Sequence, residues 1–196
     1  SGSLEIRGVQ GHIAYPQNAR NPIHLLSPVL EKLINQEYDN GNEYFPATSF
    51  QVSNINSGAG ASNIIPGILT MDFNFRYSTE TDADSLKKSV ISILDSEGVD
   101  YSVKWSHSGE PYLSRNSRLL DVCSKAVQKI TNNNATISTD GGTSDGRFMA
   151  KICDDVIEFG LVNKSIHKIN ESTTLNNIVM LKDIYCQVLQ DILTSK

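Results

Sequence analysis

The run Ser138-Thr139-Asp140-Gly141-Gly142-Thr143-Ser144-Asp145-Gly146-Arg147-Phe148 holds residue types suited to gripping an anion. Adjacent glycines reach backbone conformations closed to other residues. Thr143 or Ser144 suits the N-cap of a following helix. A β-like run precedes the stretch and an apolar run follows it, so it reads as strand, glycine turn and helix start. Such a junction gathers backbone N–H groups around a carboxylate or similar anion. Arg147, in the first turn, would add a bidentate pair. The alternative is an ordinary strand-to-helix loop. The run fits neither the dinucleotide fingerprint nor the phosphate-binding loop, which needs Lys-Ser/Thr after its last glycine.

Histidines come next. His167 lies in Gly160-Leu161-Val162-Asn163-Lys164-Ser165-Ile166-His167-Lys168-Ile169-Asn170-Glu171, just after a predicted strand. Open α/β sheets put their active sites on such loops. The residue reads as a zinc ligand with Glu171 as neighbour, or as a surface histidine. His12, beside Gly11 and ahead of Tyr15 and Pro16, either donates a hydrogen bond to an oxyanion or caps a turn. His24 and His107 read as structural. Arg76 sits on the polar face of a strong strand, as a surface charge or as a carboxylate clamp. Asn63, in a small-residue loop, orients a ligand or satisfies the turn. No H-E-x-x-H, Gly-x-Ser-x-Gly or kinase-type set occurs. The residues supply no complete metal site, since a catalytic zinc needs about three protein ligands.

Stepping from these residues to the chain that holds them, 196 residues suffice for one large or two small domains. With 39% hydrophobic and 20% charged residues the composition is that of a globular protein. A net charge of −5 gives no electrostatic case for nucleic acid or anionic membrane as partner. No apolar stretch approaches a membrane span, and no secretory signal pattern is visible. Cys123, Cys153 and Cys186 lack CxxC spacing and lie among apolar residues, so buried free thiols in a reducing cytosol are expected.

Positions 4–9 alternate as a short strand. Asn21-Pro22 opens a helix whose apolar face is Ile23, Leu26, Val29, Leu30, Leu33 and Ile34, with a kink expected at Pro28. Residues 48–57 and 68–77 read as strands; in the latter Leu69, Met71, Phe73, Phe75 and Tyr77 share one face. Thr81 and Asp84 resemble a capping box for a helix through Leu86, Val90, Ile93 and Leu94. Glu97-Gly98 ends that helix, and 99–105 alternate again. Residues 1–108 thus read β-α-β-β-α-β, an antiparallel sheet with both helices on one face. Beyond Pro111 the pattern is α-β-α-β-α, with strands at 135–138 and 155–159 and a short helix at 143–151. Two strands are few for an α/β domain, and the chain opens directly on a strand. Both features lead us to expect a missing N-terminal part.

Gly8–Pro16, Gly41–Ser49, Asn63–Gly67, Phe73–Arg76, Gly141–Phe148 and Ile166–Glu171 together resemble the bacterial succinyl-diaminopimelate desuccinylases. These belong with acetylornithine deacetylases, aminoacylases and zinc carboxypeptidases in one metallopeptidase family. The resemblance implies an α/β (α+β) protein with residues 1–110 as a dimerisation (lid) domain and 111–196 as the C-terminal portion of a catalytic domain. It implies a cytoplasmic homodimer joined through 1–110; the first helix or a sheet edge is the expected contact, since edge pairing readily builds a symmetric dimer. The implied reaction is zinc-dependent hydrolysis of N-succinyl-LL-2,6-diaminopimelate to succinate and LL-2,6-diaminopimelate, in lysine biosynthesis, with two zinc ions per site. Carried over by position, His167 matches a metal ligand, and His12 the histidine that crosses the dimer to steady the oxyanion. Tyr15, Asn63, Arg76, Gly142, Thr143 and Asn163 match substrate-binding residues. The family's other zinc ligands and its general base have no counterpart here. The expectation is therefore a truncated chain, inactive by itself, with exposed apolar surface in 111–196. An acetylornithine deacetylase type and a non-catalytic dimerisation module are the alternatives.

Overall fold

Alternation of apolar and polar residues, as along 68–76, buries one face of a strand and leaves the other polar. The fold below is that of a computed structural model describing residues 1–58, 60–114, 117–141, 144–162 and 164–194. It divides into two units, Ser1–Pro111 and Tyr112–Lys196. The first contains β1 (Gly2–Arg7), β2 (Gly11–His12), α1 (Pro22–Asn35), β3 (Ser49–Ser57), β4 (Ile64–Ile65), β5 (Ile68–Arg76), α2 (Ala83–Ser96) and β6 (Asp100–Trp105). The main sheet has the order β3-β5-β1-β6 and is antiparallel throughout, while β2 and β4 form a separate short ladder. For the strands of the main sheet and the two helices, the β-α-β-β-α-β order expected from the sequence is the one observed; the β2–β4 ladder was not expected.

Leu4 and Ile6 of β1 and Leu69, Met71 and Phe73 of β5 face inward. They meet Leu26, Val29 and Leu33 of α1 and Val90 and Leu94 of α2 in one core. Burying each such side chain contributes about 1.5–3 kcal/mol. Gly2 faces the same way, and a Cβ there would fall 2.3 Å from the Phe73 ring. Its bare backbone leaves room for Phe73 to pack edge-on against Trp105 at 5.6 Å. α1 runs unbroken through Pro28, and Asn21 caps it by accepting from the Ile23 N–H at 3.0 Å. Ile23 and Ile34 are exposed, so the apolar stripe of α1 is wider than the face this unit buries.

The cap of α2 corrects the sequence reading: it is Asp82, not Thr81. The Asp82 carboxylate accepts from the N–H groups of Asp84 (2.9 Å) and Ser85 (2.8 Å), reaching two unpaired donors of the first turn at once.

Tyr38, just past α1, donates to the Leu33 carbonyl at 2.9 Å and stands edge-on to Phe75 at 5.0 Å. Burial pushes its pKa from 10.0 up to about 12. The fold therefore favours the neutral phenol. That stability is complete below pH 10 and is lost as pH rises through about 12. Tyr38→Phe is expected to lose less stability across this window, read from urea midpoints on either side of it. An unchanged pH dependence would refute the assignment.

The second unit holds α3 (Arg118–Thr131), α4 (Gly146–Met149) and α5 (Leu175–Thr194). Ser117 caps α3 through the Leu120 N–H at 3.0 Å. Cys123, Ala126 and Val127 pack on Ile184 and Val188 of α5. The strands expected at 135–138 and 155–159 do not form among the described residues. Ala135, Ile157 and Phe159 pack on the α3–α5 pair as the pattern predicts, whereas Ile137 is exposed. Their backbones find other partners. Val156 N donates to the Ser114 hydroxyl, which donates back to the Val156 carbonyl, and Tyr185 donates to the Phe159 carbonyl. A strand needs a neighbouring ladder, and periodicity reports only the face. The cysteines also depart from expectation: all three are free, but only Cys123 is buried, while Cys153 and Cys186 are exposed. Among the described residues no helix is long and apolar enough to cross a membrane.

Candidate functional site

In the first unit His12, Tyr15 and Asn63 come together around the β2–β4 ladder. His12 pairs with Ile64 across it, and the next rung is extended by Ile13 N–H donating to the Asn63 carbonyl at 3.0 Å. Tyr15 N–H returns to the His12 carbonyl at 2.9 Å, closing a turn. Gly8 permits this arrangement, because a Cβ there would lie 2.0 Å from the Arg20 carbonyl oxygen, where Val9 bridges to Arg20.

The His12 imidazole is exposed, 5.7 Å from the Tyr15 ring. Its Nδ1 accepts from the Ala14 N–H at 3.1 Å. An accepting Nδ1 carries no proton, so the neutral ring holds its proton on Nε2. The turn thus leaves Nε2–H as the imidazole's remaining donor, the group an oxyanion needs.

Arg76 lies elsewhere. It ends β5, paired with Ser49 of β3, whereas the His12 cluster adjoins the Ile68 end. At about 3.4 Å per residue, β5 alone separates the two by roughly 27 Å. One metabolite-sized ligand does not touch both within one copy of the chain. Next to Arg76, the Tyr77 hydroxyl contacts Glu110 Oε2 at 2.8 Å, the Gly109 carbonyl at 3.0 Å and His107 Nε2 at 3.1 Å. His107 Nε2 also lies 3.2 Å from Glu110 Oε1. The phenol has one proton and gives it to the acceptor side, so His107 donates. Burial, and then Glu110, raises the Tyr77 pKa above the usual range.

In the second unit Gly142, Thr143 and Asn163 lie outside the described residues. What is described of the glycine run differs from the expected cap. The helix cap is Asp145, and its side chain makes no capping bond. Ser144 instead donates to Glu158 Oε1 while accepting from the Gly146 N–H at 2.9 Å. Tyr112 donates to the same Glu158 oxygen. A Cβ on Gly146 would fall 2.5 Å from both Glu158 Oε1 and the Tyr112 hydroxyl, so a larger residue would have to push these two side-chain ends aside. Burial, then Glu158, pushes the Tyr112 phenol up to about 12. The Arg147 guanidinium stacks 4.5 Å from the Phe148 ring centre, and its buried Nε has no hydrogen-bond partner. Neither Tyr112 nor Glu158 was visible as a site residue in the sequence. The only signal is the polar Glu158 between Ile157 and Phe159.

His167 stands at the tip of a tight loop. The Ser165 hydroxyl closes the loop, donating to the Ser172 carbonyl at 2.9 Å and accepting from the Ser172 N–H at 3.0 Å. His167 and Asn170 take left-handed conformations, φ 59° and 63°. The Glu171 carboxylate accepts from the His167 backbone N–H at 3.2 Å, so the neighbour expected from the sequence holds the backbone. The imidazole itself is exposed. Among the described residues no group of three or more His, Cys, Asp or Glu is placed to hold a metal ion. An exposed imidazole is a fit donor, but one donor is not a site.

Residues 1–102 match the family model described as peptidase dimerisation domain. Among curated relatives, the succinyl-diaminopimelate desuccinylase of Janthinobacterium sp. is 51% identical over 98% of this chain and 52% of its own length. That of Nitrosomonas europaea is 51% identical over 98% of this chain and 51% of its own. The chain therefore spans about half the length of the curated relatives it matches. Among solved structures, a Staphylococcus aureus tripeptidase superposes with TM-score 0.76 at 18% identity, covering 97% of this chain and 50% of that one. The M20 family metallo-carboxypeptidase of Sulfolobus solfataricus gives 0.72 at 13%, covering 96% and 57%. At such identities the structural likeness speaks for the fold alone.

Proposed function

The chain belongs to the peptidase dimerisation-domain family, and from that membership we propose that it serves a metal-dependent succinyl-diaminopimelate desuccinylase. Residues 1–110 would be its dimerisation domain and 111–196 the C-terminal part of its catalytic domain. The reaction is hydrolysis of N-succinyl-LL-2,6-diaminopimelate to succinate and LL-2,6-diaminopimelate in the cytoplasm. The observation that carries this reading is identity at about half of all positions over 98% of the chain to enzymes of that name.

In this proposal His167 is one ligand of the catalytic metal, zinc, and the other ligands lie outside the described residues. Bound there, the metal would polarise the amide carbonyl and activate water. The residues of this chain supply the rest. His12 offers its Nε2–H to the developing oxyanion, with Tyr15 and Asn63 beside it on the substrate. Arg76 takes a substrate carboxylate. Gly142, Thr143 and Asn163 hold the diaminopimelate end.

The separation of His12 from Arg76 along β5 supports a shared site, in which a homodimer brings His12 of one copy to Arg76 of the other. The joining surface would be the free edge of β3 and the adjoining side of α1. Exposed Ile55 and Ile23 there line an apolar hollow of about 420 Å³ with Leu26, Leu30 and Leu69. An unpaired strand edge beside an apolar helix stripe favours isologous pairing.

The test is substrate choice in a protein of the relatives' full length that carries these residues. Succinate release from N-succinyl-LL-diaminopimelate is expected to exceed deacetylation of N-acetylornithine by at least about a hundredfold in kcat/KM. The reverse preference would assign the acetylornithine deacetylase alternative.

A further inference from the structure

Asp39-Asn40-Gly41-Asn42 reads in the sequence as a turn, yet its side chains tie together distant parts of the first unit. Asp39 Oδ1 accepts from the N–H groups of Gly41 (2.8 Å) and Thr48 (2.9 Å). Its Oδ2 accepts from the Ser78 hydroxyl at 3.1 Å and from the Thr48 hydroxyl. Thr48 Oγ1 in turn accepts from the Ser78 N–H at 3.1 Å. Asn42 adds a second tie, donating to Thr79 Oγ1 at 2.9 Å and Glu80 Oε1 at 2.6 Å. Gly41, at φ +66°, makes the corner, where a Cβ would lie 2.4 Å from the Phe45 carbonyl oxygen.

The position of this network gives it a purpose. Thr48 immediately precedes Ser49, and Ser78 follows Arg76 by two residues. Ser49 and Arg76 are the paired rung that ends the β3–β5 ladder. Asp39 therefore grips both strands just beyond the rung from which Arg76 projects. Strand ends ordinarily fray, but Ser78 is 1% exposed and Thr48 8%. A fully satisfied polar network of this kind admits few alternative geometries. Partial burial alone would raise the Asp39 pKa, yet the bonds from Thr48, Gly41 and Ser78 hold it below the usual carboxylate range. The carboxylate thus stays ionised and keeps all its acceptors at neutral pH.

We propose that Asp39 is a positioning residue for Arg76, fixing the end of β5 so that the guanidinium meets the substrate carboxylate at one set angle. The inference rests on the reading of Arg76 as a carboxylate clamp. Its test begins without ligand, on the 196-residue chain labelled with ¹⁵N-arginine. Asp39→Ala is expected to shift and broaden the Arg76 Nε–H resonance, and Asp39→Asn, which keeps one acceptor oxygen, to shift it less. Ser78→Ala, which deletes the hydroxyl's bond to Asp39 and the one it accepts from the Glu80 N–H, serves if Asp39→Ala does not fold. Titration with succinate follows. Affinity should fall about tenfold in Asp39→Ala and recover in part in Asp39→Asn, since a misplaced clamp loses binding steeply. An unmoved Arg76 resonance in folded Asp39→Ala or Ser78→Ala would overturn the proposal. Succinate that leaves Arg76 unperturbed in the parent chain would instead refute the clamp, while the ligand-free spectra still decide the positioning.

Discussion

Mixing two inactive variants is expected to restore activity. In a protein of full relative length, His12→Ala should keep no more than about 1% of the parent rate, because loss of one oxyanion donor costs about 10²–10³. His167→Ala should be inactive for want of a metal ligand. If His12 serves the partner's site, a hybrid dimer rebuilds one site of its two. That site combines the intact His167 of the His12→Ala chain with the intact His12 of the other. Random pairing makes about half of the dimers hybrids, so the mixture should recover about one quarter of the parent activity after unfolding and refolding together. If His12 serves its own chain, both hybrid sites lack a residue and nothing is recovered.

The geometry favours recovery. His12 and Arg76 stand at opposite ends of β5. The Nε2 proton of His12 points away from its own turn, because Nδ1 is engaged by Ala14. A Tyr15→Phe control separates the two roles at this corner. The Tyr15 side chain meets His12 ring to ring, at 5.7 Å, which leaves its hydroxyl to act on substrate, and its loss should raise KM more than it lowers kcat. Sedimentation of the refolded mixture as a dimer at micromolar concentration confirms that dimers re-formed.

Periodicity foretold the main sheet and its two helices because each of these elements turns one face to a single core. The alternation through β5 and the 3.6-residue spacing of Leu26, Val29 and Leu33 were sufficient. Cap identity was less visible. Thr81 and Asp82 are both good caps, and only the backbone decides which side chain reaches two N–H groups. In the second unit the pattern at 155–159 correctly marked a buried face and wrongly marked a ladder, since Ser114 and Tyr185 side chains satisfy that backbone. Tyr112 and Glu158 meet across 46 positions, and Thr48 and Ser78 across 30. No local spacing reports such pairs. The histidines and Arg76 were legible as chemistry, but their separation along one strand emerged only with the register.

The second large effect concerns His167. In the same full-length protein, His167→Ala should lower activity by at least about a thousandfold, as loss of a metal's several kcal/mol of charge stabilisation requires. Tightly bound metal should fall in parallel. The backbone allows structural damage to be told apart from lost ligation. His167 occupies a left-handed conformation, φ 59°, which costs a side-chain-bearing residue about 1 kcal/mol or more and persists at sites where function holds it. His167→Gly removes that strain while keeping the loop bonds of Ser165 and Ser172, which involve no His167 side chain. The glycine variant of the 196-residue chain should therefore unfold at the same denaturant concentration as the parent, or slightly higher. Yet in the full-length enzyme it should lose metal and turnover as completely as alanine does. Glu171→Gln, which weakens the carboxylate's hold on the His167 N–H, should cost only about 10–100-fold in metal affinity. Were the glycine variant to keep the parent's metal content and rate, the imidazole would be a surface group, and the left-handed residue would reflect the turn alone.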